Sequence, residues 1–183
     1  MQLRPRPIFP LALASWRKLV TLVAVAWLVP ILVQLVPWSG AQPLSAHLVP
    51  VYWAVFATVY FCGGAMGLLV ALAMSGAAFF NLGVPAVGPA EVMALELVGF
   101  VGFVALLANH WPCLRFAAPV AWLAANGLGV ALQWALPVWG SPSNPWELWM
   151  TSTTTALGGL GVLLAINVAL VELLPKDCDW DSD

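Results

Sequence analysis

Charge is what this sequence lacks most. Of its 183 residues only 8% are Asp, Glu, Lys or Arg, six cations against eight anions. A water-soluble domain carries about a quarter charged residues, so this chain cannot solvate an outer surface with its own side chains. Hydrophobic residues make up 62% and the mean hydropathy is +0.94. Its solvent is lipid. The few cations and a net charge of -2 also argue against a nucleic-acid partner, which needs a basic footprint to displace counterions. Two His and three Cys with no C-x-x-C or Cys/His cluster disfavour zinc and iron–sulfur ligation, so no metal site is expected. Nucleophile–base pairs, paired catalytic carboxylates and phosphate loops are missing too, which argues against a self-sufficient enzyme.

Long apolar runs take the place of charge. No Asp, Glu, Lys or Arg lies between Lys18 and Glu91, and a spanning helix needs about 20 apolar residues. The runs predict an all-α integral membrane protein, a single transmembrane domain with a bundle of about five transmembrane helices over residues 19–174. The expected crossings are Leu19 to Val36, Leu48 to Phe80, Ala90 to Trp111, Phe116 to Trp139 and Glu147 to Pro175. The second exceeds a perpendicular span and is expected to tilt or to project. Pro30 should kink the first. Pro/Gly clusters at 81–89 and 140–145 read as turns, and Glu147 suits the positive end of a helix dipole.

Arg4, Arg6, Arg17 and Lys18 precede the first crossing. Lys/Arg bias sets orientation, so residues 1–18 are expected to be cytoplasmic, in the cell (inner) membrane. Five crossings then place the acidic tail, residues 175–183, outside. The basic start and apolar run resemble a signal peptide but are too long for one, and are read as a retained signal anchor.

Gly63, Gly64 and Gly67 form a small-residue patch, and Gly99 and Gly102, then Gly158 and Gly159, do the same on later helices. Such residues let helix backbones approach in lipid, so they are expected at packing faces. Most of the 11 Trp fall near helix ends, as an aromatic belt does. Cys113 and Cys178, both expected outside, are candidates for a disulfide, with free thiols the default.

Ionisable residues inside a membrane are costly and mark function. Glu96 is the central one. At 100° per residue, Glu96, Phe100, Phe103, Leu107 and His110 share a stripe, and Asn109 and Arg115 extend its polar end. A carboxylate, an imidazole and an apolar floor suit a quinone head group, whose reduction takes up protons at its carbonyl oxygens. Glu96, His110, Arg115 and Asn109 are therefore the candidate quinone or proton path. The bland alternative is an interfacial His and Arg with one buried, bonded Glu. Haem is disfavoured, because His47 lies after Pro43 in a short loop and not on a helix stripe. Thr151, Ser152, Thr153, Thr154 and Thr155 either line a wet cavity or bond back to their own helix. Asn126, Gln133 and Asn167 are expected to bridge helices.

Three fragments carry a resemblance. Tyr60-Phe61-Cys62-Gly63-Gly64-Ala65-Met66-Gly67, Pro112-Cys113-Leu114-Arg115-Phe116 and Ser141-Pro142-Ser143-Asn144-Pro145-Trp146 resemble segments of the quinone-reactive membrane anchors of the polysulfide-reductase type. No Asp precedes the Pro–Arg element here, and an additional apolar helix separates the second and third fragments. The resemblance implies a haem-free membrane subunit of a respiratory, photosynthetic or related redox complex, in contact with lipid, with other membrane and peripheral subunits, and with a quinone. The competing class is a free-standing small transporter or channel, marked by polar stripes converging at mid-membrane.

Overall fold

The computed structural model describes residues 16–40, 44–79, 90–111, 114–136 and 144–173. Among these the regular structure is entirely helical: α1 (Trp16–Gln34), α2 (Leu44–Leu48), α3 (Pro50–Cys62), α4 (Gly64–Phe79), α5 (Ala90–His110), α6 (Ala117–Ala135), α7 (Pro145–Thr155) and α8 (Leu157–Leu173). Cys113 and Cys178, the tail 175–183 and most of the basic start lie outside the described residues.

Two expected crossings are each two helices. The long run from Leu48 to Phe80 divides at Gly63, whose backbone stands at φ 87° and ψ 170°, a region essentially reserved for glycine. There the chain reverses, and α4 packs back along α3, α1 and α5. A methyl group added at Gly67 would overlap the Val59 side chain, so the small residue lets α4 close onto α3. No charge or turn cluster marks this reversal, which is why hydropathy alone runs through it. At the start of the same run Pro50 disfavours right-handed helix at the residue before it. Val49 takes φ 44° and ψ 50°, an uncommon left-handed setting for a β-branched residue, and joins α2 to α3.

The last run bends by 61° between α7 and α8, at Ala156. Its start follows expectation. The Asn144 side chain accepts hydrogen bonds from the Trp146 and Glu147 amides at 3.1 and 3.3 Å, satisfying two of the unpaired N–H groups of a helix N-terminus. By contrast, α1 is a single helix containing Pro30.

The passes alternate in direction. Near the starts of α3 and α5, Tyr52 touches Glu96 and Phe100; near their ends, Tyr60 and Val104 line one small pocket with Asn167 of α8. α3, α5 and α8 therefore run parallel, with α1, α4 and α6 reversed between them. The core is a cluster of Val55, Phe56, Val70, Met74, Leu97, Phe100, Ala121 and Leu163 with their neighbours, all buried. By length and composition two helical stretches could cross a membrane, Leu44–Cys62 and Glu91–His110, and a third if α7 and α8 count as one bent span; Val20–Gln34 and Gly64–Gly76 are shorter apolar helices.

Candidate functional site

Glu96 sits where α3, α5, α6 and α7 meet. α5 brings it there on the stripe that buries Phe100 and Val104. The Tyr52 hydroxyl donates to its Oε2 at 3.2 Å, and the Tyr52 ring stands edge-on to Phe100 and to Trp122. The opposing helix makes room for the carboxyl. At Gly129 of α6 an added methyl group would overlap Glu96 Oε1 and Cγ, so any side chain there would displace it.

The pair borders a cavity of about 200 Å³. Its walls are mostly apolar, including Val49, Val92, Met93 and Val130, with a few polar groups among them: Tyr52, Glu96, Asn126, Gln133 and the hydroxyls of Thr151, Ser152 and Thr155. Asn126 Nδ2 donates to Ser152 Oγ at 2.6 Å, fastening α6 to α7 beside the cavity, while Asn126 Oδ1 is buried without a partner. An apolar hollow with a small set of convergent polar groups is the usual form of a small-molecule site. The expected hydroxyl run plays both of its roles. Thr151, Ser152 and Thr155 line the cavity, and Thr154 Oγ1 bonds back to the Thr151 carbonyl at 3.0 Å.

Two broken helices frame the cavity. His47 Nδ1 donates to the Thr155 carbonyl at 3.0 Å, and a methyl group added at Gly159 would overlap Leu48 O and Val49. The α2–α3 junction thus rests directly on the bend between α7 and α8, and Gly159 permits the contact.

The remaining expected site residues are elsewhere. His110 and Asn109 are exposed at the far end of α5, roughly 20 Å from Glu96 at 1.5 Å per residue. His110 Nδ1 donates to the Leu106 carbonyl of its own helix at 2.9 Å. Arg115 pairs with Glu172 at 2.6 Å, with 61% and 51% of the two side chains exposed. The four residues do not form one site. A helix stripe is continuous along its axis, and the structure uses its two ends separately. His47 and His110 likewise stand at opposite ends of the bundle, so no single haem could bridge them.

The glycines also divide. A methyl group added at Gly99 would stand 3.2 Å from the Leu128 side chain and one at Gly158 3.5 Å from the His47 carbonyl, as expected of packing residues, and Gly64 is buried. Gly102 has open space around it, and Gly63 is the turn itself, not a packing contact. Asn126 bridges helices as expected, and Asn167 Nδ2 donates to the Leu114 carbonyl at 3.0 Å, holding the α5–α6 turn to α8. Sequence reasoning missed Tyr52 and Gly129. Tyr52 carried a signal, being one of only two tyrosines and lying in an apolar run where its hydroxyl needs a partner. Gly129 carried none.

Among the described residues no group of three or more His, Cys, Asp and Glu gathers as a metal site. In comparisons with known proteins, the chain matches no family model, no curated protein and no solved structure. The likeness to the polysulfide-reductase-type anchors stands on its three fragments alone.

Proposed function

We propose that this chain is an integral membrane subunit of a redox complex, and that the cavity at Glu96 receives the head group of a quinone-class molecule. The observation that carries the reading is the Tyr52–Glu96 pair, a phenol and a carboxyl set together in the wall of a mostly apolar hollow. Quinone carbonyl oxygens need hydrogen-bond donors and, on reduction, protons; the ring needs the apolar wall. Trp122 and Phe100 give Tyr52 an aromatic backing that fixes its hydroxyl. The chain would hold the head group and handle protons at the Glu96 carboxyl, while a partner subunit supplies or takes the electrons. In this reading all the helical passes lie in the bilayer, the shorter ones kept there by their packing.

Gentle purification tests the proposal. The chain should come out in a stoichiometric larger complex, and a photoreactive quinone analogue should label peptides from α5 to α7. Glu96→Gln and Tyr52→Phe should each reduce labelling about tenfold, the loss of one hydrogen bond to a charged or buried group. A chain that purifies alone and takes no label would overturn the reading.

The bend between α7 and α8 beside the cavity favours one alternative, a free-standing small transporter. Helices broken beside a mid-membrane site are the usual construction of such proteins. It would purify as a monodisperse homo-oligomer and support solute uptake in vesicles.

A further inference from the structure

The reversal at Gly63 redistributes the charge of the whole chain. Read as five crossings, the sequence splits its cations between the two faces of the membrane. Folded with α4 returning along α3, it brings the start of α1, the α5–α6 turn and the end of α8 to one end. Arg17 and Lys18 stand in the first turn of α1, with Arg4 and Arg6 before them in sequence; Arg115 lies in the α5–α6 turn, and Lys176 follows α8 by three residues. At the other end, the connections 35–43, 80–89 and 136–144 contain no Lys or Arg. Lys/Arg bias places the cationic end in the cytoplasm, so the start of α1 and the end of α8 fall on that side. The Glu96 cavity lies toward the opposite end.

The path from Glu96 to the cationic end is closed. Leu97, Phe100, Val101 and Val104 on α5, and Ala118, Ala121 and Trp122 on α6, are at most 3% exposed. The other direction is open and polar. Gln133, near the end of α6, and Ser152 and Thr155 on α7 are half-buried, and Thr151 is exposed. All four line the cavity. The titratable groups near this end among the described residues are Tyr52 on α3, Glu91 on α5, Glu147 on α7 and His47 on α2, with only Tyr52 bonded to Glu96.

We propose that the Glu96 cavity is served from the non-cytoplasmic face, with water and protons reaching the carboxyl through the mouth lined by Gln133, Thr151, Ser152 and Thr155. The inference rests on the reading of the chain as a membrane-embedded bundle with its site at Glu96, and not on what that site binds.

Single cysteines test it, in a chain whose three native cysteines have been replaced. Thr151→Cys and Gln133→Cys report on the mouth and His110→Cys on the far end, each exposed to a small membrane-impermeant thiosulfonate in right-side-out and in inverted vesicles. The mouth cysteines should react only in right-side-out vesicles, and the His110→Cys thiol only in inverted ones. In the native sequence, a water-soluble carbodiimide with an added amine should modify Glu96 from the outer face, a mass shift that Glu96→Gln abolishes. Reaction of the mouth cysteines or of Glu96 from the cytoplasmic face, or of the His110→Cys thiol from the outer face, overturns the proposal. A chain that takes no quinone yet labels in this pattern refutes the ligand reading and leaves the sidedness standing.

Discussion

The two ends of the bundle handle polarity in opposite ways. At the cationic end, charge stays on the surface: Arg115 and Glu172 pair while more than half exposed, and the interior is closed by apolar side chains, with backbone ties from Asn167 and Tyr60. At the other end the connections carry no cations, and polarity moves inward to Tyr52, Glu96, Asn126 and Ser152 around a hollow. Exposed charge in water is inexpensive and contributes little to stability, but it decides which face of the membrane a loop occupies. Buried polarity is expensive unless paired, so it persists where it binds something or fixes a fold. One end keeps its charge at the surface, and the other lines a cavity with its polar groups.

The comparison would break most visibly at Gly63, the turn on which the arrangement of ends depends. Nothing lies within 4 Å of a methyl group added there, so Gly63→Ala tests backbone conformation without a clash. The strain should cost about 1–3 kcal/mol, read as a clear fall in the unfolding midpoint in detergent. An unchanged midpoint would mean that the reversal does not need glycine.

Next in size is Asn167→Leu, which leaves the Leu114 carbonyl without its donor. The expected loss is about 1–2 kcal/mol, with labelling by a quinone analogue preserved in the protein that remains folded. Loss of labelling at full stability would show that the two ends are not separate in function.

Glu96→Gln should do the reverse. It keeps shape and most hydrogen bonding, so the unfolding midpoint should stay within a few degrees of the parent while labelling falls about tenfold. Gly129→Ala should reproduce the binding loss, because the added methyl displaces the carboxyl without removing it. Normal labelling in both would leave Glu96 as a packing residue. The smallest effect belongs to Arg115→Gln, whose exposed pair should contribute under about 1 kcal/mol. A larger drop in the same unfolding assay would assign the cationic end a structural role beyond orientation.

Much of the fold was legible in the residues. The limits of α5 follow from Pro89 and from the Trp111-Pro112 stop, and observed Ala90–His110 lies within one residue of the expected span. The α7 start was legible in the 140–145 turn cluster and in Glu147, a first-turn acid, though the helix begins at Pro145, two residues before the expected Glu147. Within the site, Glu96 was found because a carboxylate in an apolar run is conspicuous. Grouping it with His110 and Arg115 failed because periodicity gives a direction around a helix and says nothing of what each level along it faces.

The sequence by itself determined that the runs are long and apolar, with too few charges to cover a water-facing surface. It also determined the helical character of each run, and the one carboxylate that must find a partner away from the helix ends. Tertiary structure decided where the chain reverses, and with it which residues share an end. A single glycine at positive φ has no hydropathy signature, yet it sends α4 back along α3. Only the packing then decided that Tyr52 would meet Glu96 and that Gly129 would make room for them. A hydrogen-bond partner 44 residues away and a space the size of one methyl group are properties of helices laid side by side, and no local pattern encodes them.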